Sequence, residues 1–189
     1  MTDVHPYFPP EVLPAIQQVL EGNDKNALER FADSFSTIHL HGSECLPVAN
    51  GTLALELALE HIVIPGSRIA VPCRSFVASA SSILRARCTP VFVDVDPVTQ
   101  NIDPVALDSI PNLDGIVCVH HAGCPCDMTK IMSIAQRKGL FVIEDCAQAQ
   151  GARWKGIPVG LWGDVGCFSF CENKIMSLKE GGMVCCRDK

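Results

Sequence analysis

The sequence predicts an α/β fold in three αβα layers: a mostly parallel sheet with helices on both faces. Three observations predict it. From residue 46 onward, apolar runs of strand length alternate with segments of helix length, the pattern of parallel strands joined by helical crossovers. The chain has 189 residues, 48% of them hydrophobic, enough for one domain with a real core. Chemically distinctive residues, among them Asn50-Gly51-Thr52, Arg74-Ser75-Phe76, His120-His121, Asp145 and Ser169, recur just after successive apolar runs. In open α/β sheets, ligands collect outside the carboxyl ends of the strands.

Before the alternation begins, one helix is predicted over Pro10 to Leu20 and a weaker one over Ala27 to Phe35. LPVAN (46–50) reads as the first strand and feeds the helix GTLALELALEHIV. Pro65-Gly66 turns the chain into the strand RIAVPC (68–73), followed by the helix FVASASSILRA (76–86). TPVFVDVD (89–96) is the next strand, with a helix around DPVALDSI after it. GIVCVHH (115–121) and LFVIEDC (140–146) are strands on either side of the helix DMTKIMSIAQRKG (127–139). Gly181-Gly182 reads as a tight turn into a last strand, MVCCRD, with no chemistry of its own. Repeats, charge blocks and low-complexity tracts are absent, so a single domain without a linker is expected.

Composition narrows the function classes. The net charge is −6 and no basic cluster is present, which argues against a nucleic-acid surface and leaves nucleotide-linked small molecules open. No run approaches the roughly 18 apolar residues of a membrane span. The start MTDVHPYFPPEV lacks the basic and apolar regions of a signal peptide, so a cytoplasmic protein without membrane contact is expected. Eleven cysteines do not imply a disulfide framework in a chain this long and apolar, and most are expected to be reduced, buried and small. Cys124 and Cys126 form C-x-C and Cys185 and Cys186 are adjacent, spacings unlike a structural zinc site, so no metal is expected.

Five positions carry candidate chemistry. Asn50-Gly51-Thr52 opens a helix directly after a strand, where free N–H groups and the positive end of the helix dipole favour a phosphate and glycine permits close approach. The same residues suit an ordinary helix cap. Asp145 ends an apolar strand expected to be buried, where an unpaired charge is costly. It is either a structural ion pair or cap, or the group that keeps a proton on a heteroaromatic ring nitrogen, as a pyridoxal cofactor requires. Lys174 follows the apolar run Phe-Ser-Phe; alone it reads as a surface lysine, but an amine partly desolvated among apolar groups condenses readily with carbonyls. Ser169 can reach the same phosphate as Thr52, and Phe76 can lie flat on a ring or belong to the core.

Between about residues 48 and 186, NGTLALELAL, VPCRSFVAS, PVFVDVDPVTQNIDP, VHHAGCPCDM, VIEDCAQAQGARWKGIPVG and CFSFCENKIMSLKEGGMV follow one another. In that order they resemble the motifs of the pyridoxal-phosphate-dependent nucleotide-sugar aminotransferases of the DegT/DnrJ/StrS type, within the aspartate-aminotransferase fold group. The resemblance implies the large domain of that fold, with pyridoxal 5'-phosphate as cofactor. By position, Lys174 would form the Schiff base and shuttle a proton between substrate and cofactor carbons, and Asp145 would pair with the pyridine nitrogen. Gln148 would hydrogen-bond the ring hydroxyl or its neighbour, Phe76 would stack on the ring, and Gly51, Thr52 and Ser169 would hold the phosphate. His120 would sit near the pocket without an assigned role.

The implied reaction is two half-transfers, in which an amino acid donor such as glutamate supplies the amine for a keto-sugar carried on a nucleotide. A related branch of sugar dehydratases carries histidine at the lysine position, so Lys174 favours transamination. The sequence departs from the pattern at Ala49-Asn50, where serine is usual, at Ser75, where threonine is, and at Lys179, where glycine is common. Its N-terminal stretch is poor in the family's glycine-threonine loop. Family members run to roughly twice a single-domain length. Residues 1–189 are therefore expected to be a partial cofactor-binding large domain lacking the small C-terminal domain, paired as a homodimer or with a separate second half. The alternative is a non-catalytic remnant that keeps the fold and binds cofactor or a partner subunit without turnover.

Overall fold

The computed structural model describes residues 10–186; most of the proline-rich start and the end of MVCCRD lie outside the described residues. Two helices, α1 (Val12–Leu20) and α2 (Ala27–His39), precede the sheet. Helix α1 buries none of its side chains, whereas α2 docks through Ala32, Phe35 and Ser36. It continues past the expected end at Phe35 because the next turn is held by tertiary contacts. Phe35 meets Phe168 and Phe170 edge-on, with ring centroids 5.1 and 5.4 Å away, and the buried Leu40 returns its N–H to the Ser36 carbonyl.

The alternation follows as β1 (Cys45–Val48), α3 (Gly51–Ile62), β2 (Arg68–Pro72), α4 (Val77–Arg85), β3 (Thr89–Val93) and α5 (Pro104–Ser109). It continues through β4 (Gly115–Val119), α6 (Met128–Lys138) and β5 (Phe141–Asp145). Observed strands stop one to three residues short of the predicted ends, since the polar residues that follow leave the ladder for the loops. Helix α6 shows both ends of the expected punctuation: Asp127 accepts from the Lys130 N–H, and Gly139 closes the helix in the left-handed conformation (φ 68°). A small hairpin, β6 (Arg153–Trp154) with β7 (Ile157–Pro158), was not expected. Its two-residue turn, Lys155-Gly156, has positive φ at both positions (48° and 83°), a conformation that a lysine does not advertise as asparagine would. The last strands are β8 (Val165–Ser169) and β9 (Gly182–Cys186).

Seven strands form one sheet in the order β1-β9-β8-β5-β4-β2-β3, parallel throughout except where β9 runs against β8 and β1. The strand period of two divides the core. Ile69, Val71, Val117 and Ile143 face α3 and α4, while Ala70, Ile116, Cys118 and Val142 face α5 and α6. Phe168, Phe170 and Met183 carry that second face onto α2. Every residue of β4 is buried, as a sheet covered on both faces requires. The three-layer, mostly parallel α/β architecture is the expected one. No helix of the described residues is long and apolar enough to cross a membrane.

Candidate active site

The carboxyl ends of β5 and β8, the first turns of α3 and α4, and the loop from 170 to 181 enclose a cleft of about 360 Å³. The structure brings seven of the residues singled out from the sequence to its wall: Gly51, Thr52, Phe76, Asp145, Gln148, Ser169 and Lys174.

At the start of α3 the cap reading of Asn50-Gly51-Thr52 holds, and the cap leaves two amides free beside it. Asn50 is the cap, its Oδ1 accepting from the Leu53 N–H at 2.9 Å and its carbonyl from the Ala54 N–H at 3.1 Å. The N–H groups of Gly51 and Thr52 have no acceptor within the helix, and the positive end of its dipole lies at the cleft. Only glycine lets this turn approach β8: a Cβ on Gly51 would stand 2.7 Å from Ser169 Cβ and 3.2 Å from its Oγ. Gly182, read from sequence as a plain turn residue, has a comparable role. A Cβ there would lie 2.4 Å from the Asn50 carbonyl oxygen, so β9 can lie against the start of α3 only without a side chain.

Asp145 ends β5 at 5% exposure. Its Oδ2 accepts from Ser79 Oγ at 2.7 Å and its Oδ1 from the Ala147 N–H at 3.1 Å. Ser79 spends its single proton on the carboxylate, so Ser75, 2.6 Å away, donates to Ser79. Burial pushes the Asp145 carboxyl above its ordinary value, opposed by the hydrogen bonds of Ser79 and Ala147 and by the charge of Lys174. Among the described residues no cation forms an ion pair with Asp145, so the structural salt bridge does not account for it. Ser79 was missed in the sequence; its spacing of four from Ser75, just ahead of the helix, was the available signal.

Phe76 caps α4 and is 66% exposed, which removes the core reading. Gln148 Oε1 accepts from the Ala122 N–H at 2.7 Å, which leaves its amide nitrogen to donate elsewhere. Lys174 is half-buried, its N–H bonded to the Cys171 carbonyl at 2.9 Å. Among the described residues its ammonium has no hydrogen bond or ion pair.

His120 does not line the cleft. It is wholly buried behind the wall, where Nδ1 accepts from the Cys126 N–H and Nε2 donates to Glu144 Oε2, both at 3.0 Å. Glu144, which sequence reasoning passed over, is equally buried and also accepts from the N–H groups of Gly160, Trp162 and Gly163. Consecutive strand residues face opposite sides, so Asp145 at the cleft forces Glu144 into the interior. With Cys146 these two residues bring possible metal-ligating atoms within 4.8 Å of one another, but both ring nitrogens and both carboxylate oxygens are committed to hydrogen bonds. The group ties the loops around residues 120–126 and 160–163 to β5.

The donor set fits pyridoxal phosphate: a helix start and a serine for an anion, an exposed aromatic ring, a desolvated carboxylate lacking a cation, and an unpaired primary amine.

Residues 10–189 match the profile of the DegT/DnrJ/EryC1/StrS aminotransferase family. The chain is 41% identical to UDP-N-acetyl-3-dehydro-alpha-D-glucosamine 3-aminotransferase of Acidithiobacillus ferrooxidans, across 100% of this chain and 53% of that protein. It is 40% identical to GDP-perosamine synthase of Escherichia coli O157:H7, across 87% and 46%. With L-glutamine:2-deoxy-scyllo-inosose aminotransferase of Streptomyces kanamyceticus it shares 39% identity across 84% and 38%. Among solved structures, the aminotransferase from Psychrobacter cryohalolentis superposes with a TM-score of 0.90 at 41% identity, over 97% of this chain and 49% of that one. The chain spans about half the length of the curated relatives it matches.

Proposed function

The chain belongs to the DegT/DnrJ/EryC1/StrS aminotransferase family, and from that premise we propose that it is the cofactor-holding part of a pyridoxal-phosphate-dependent aminotransferase acting on a nucleotide-linked keto-sugar. The observation that carries this reading is Asp145, a buried carboxylate without an ion-pair partner, in the same cleft as the half-buried Lys174. Two relatives named for UDP- and GDP-linked amino sugars support the substrate class. Glutamate is the expected amino donor; a relative named for L-glutamine makes that amide the comparison. A second copy of the chain, or a separate polypeptide, would complete the sugar side of the cleft.

The cofactor, when bound, supplies an electron sink for the carbon that loses its proton. The remaining work belongs to the chain. Gly51, Thr52 and Ser169 bind the phosphate with two helix-start amides and two hydroxyls. Asp145 holds a proton on the ring nitrogen and is itself held by Ser79. Phe76 covers one face of the ring, and the Gln148 amide nitrogen orients its hydroxyl. Lys174 Nζ provides covalent attachment and then takes and returns the substrate proton.

Borohydride reduction of the protein with pyridoxal phosphate, followed by peptide mass mapping, tests the assignment. A pyridoxyl group is expected on Lys174 and on no peptide of Lys174→Ala. Labelling spread over other lysines, and equal in the variant, would sink it. Release of 2-oxoglutarate on adding glutamate is expected to follow; attachment without release would favour the non-catalytic remnant.

A further inference from the structure

Cys45 and Cys185 stand directly opposite each other on β1 and β9. The adjacent pair is joined by a ladder bond from the Cys186 N–H to the Glu44 carbonyl, at 3.2 Å. Hydrogen-bonded and non-hydrogen-bonded pairs alternate in an antiparallel ladder, so Cys45 and Cys185 occupy the closer, non-hydrogen-bonded kind. Backbone separations there fall within the range a disulfide spans. The two sulfurs are already in contact, at 2.9 Å.

The pair is asymmetric. Cys45 is half-buried and lines an open cavity of about 660 Å³ between α2, α3 and the start of β1, whereas Cys185 is fully buried and does not line it. Contact with Cys185 favours the Cys45 thiolate against the opposing effect of burial, and the same contact together with burial holds the Cys185 proton on. Cys45 is therefore the attacking sulfur. Cys118 and Cys126, the other neighbouring thiols, are both sealed in the core; Cys186 lines the same cavity as Cys45 but lies on the opposite face of β9 from Cys185. The pair lies outside the cofactor cleft, toward the other end of the β1–β9 ribbon from Asn50.

We propose that Cys45 and Cys185 form a two-cysteine oxidation site, at which a small-molecule disulfide of the glutathione class enters the cavity and leaves a cross-strand disulfide. The Cys45 thiolate attacks one sulfur of the reagent, whose S–S bond breaks and releases one thiolate. Cys185 then attacks the Cys45 sulfur; the second reagent thiolate leaves, and the two cysteine protons end on the two released thiols. Two protein thiols are oxidised and one reagent disulfide is reduced. The new bond ties the edge strand β1 to a strand 140 residues away, a cross-link that restricts the unfolded chain.

The protein is oxidised with glutathione disulfide, alkylated, digested and mapped, with Cys186→Ser used to assign the linked peptide. A Cys45–Cys185 peptide without retained glutathione is expected, with a thermal midpoint raised by roughly 10 °C and restored by dithiothreitol. Cys45→Ser is expected to show neither. A stable glutathione adduct on Cys45 beside a free Cys185, or an unmodified Cys45, would overturn the proposal. Should Cys45→Ser not fold, the wild-type map alone decides, with Cys45→Ala as the second variant.

Discussion

Ser79 Oγ donates to Asp145 Oδ2 at 2.7 Å, from the first turn of α4 to the carboxyl end of β5. Ser79→Ala leaves a buried carboxylate with one donor fewer and is expected to cost about 1–3 kcal/mol at neutral pH. Because this hydrogen bond holds the Asp145 carboxyl down, its titration moves further up in the variant. Ser79→Thr keeps the hydroxyl and restores both properties. Urea unfolding and carboxyl-carbon NMR check the pair of effects; an unmoved titration would remove the role assigned to Ser79.

Asp145→Asn removes a pH dependence. The folded state keeps the Asp145 proton above the ordinary carboxyl value of 3.8, so the unfolded chain releases it first. Stability therefore falls as pH rises from that value through the raised folded one, and the loss is complete above it. The amide removes this loss: its nitrogen can donate to Ser79, which then donates to Ser75. Cofactor-free Asp145→Asn is expected to be at least as stable as the parent at neutral pH. It should bind pyridoxal phosphate roughly tenfold to hundredfold more weakly. Thermal melts across pH and a fluorescence titration read the two; a variant with the parental pH slope would contradict the buried-carboxylate account.

Gly51→Ala drives a Cβ to 2.7 Å from Ser169 Cβ, with one backbone held in α3 and the other in β8. A loss of about 1–3 kcal/mol is expected, together with weaker binding of the phosphate. Thr52→Ser removes only a methyl group and keeps the hydroxyl, whereas Thr52→Ala removes both hydroxyl and methyl and is expected to change folding stability by no more than about 0.5 kcal/mol. Chemical unfolding beside a pyridoxal phosphate titration separates the steric effect from the binding one.

Glu144→Gln turns a donor toward donors. Either Oε1, which accepts from the Trp162 and Gly163 N–H groups, or Oε2, which accepts from the Gly160 N–H and the His120 ring, becomes an NH₂ group. Destabilisation of about 3 kcal/mol or more is expected. Labelling of Lys174 per folded molecule should stay at the parental level. Loss of labelling at full stability would place Glu144 in the cofactor's chemistry instead.

Much of this was legible along the chain. The parallel crossovers are built from neighbours in sequence, so their periodicity is visible, and the residues after β2, β5 and β8 named most of the cleft. What escaped depends on distant partners. Nothing near Ser79 announces an acceptor 66 residues on, and nothing near His120 announces a carboxylate 24 residues on that draws it away from the cleft. The extension of α2 to His39 escaped for the same reason, since Phe168 and Phe170 hold it.

By itself the sequence determined the alternation of strands and helices, the polarity of the strand ends, and the residue types a phosphate, a ring nitrogen and an aldehyde would need. Periodicity and capping are local properties, written within a few residues. Tertiary structure alone decided that Asp145 has no ion pair among the described residues and that His120 and Glu144 serve each other. It also decided that Gly51 lies against Ser169, that Gly182 is a close approach rather than a plain turn, and that Cys45 meets Cys185. Those facts arise where β9 returns antiparallel between β1 and β8 and where burial strips water from a carboxylate. Each depends on which distant atoms become neighbours.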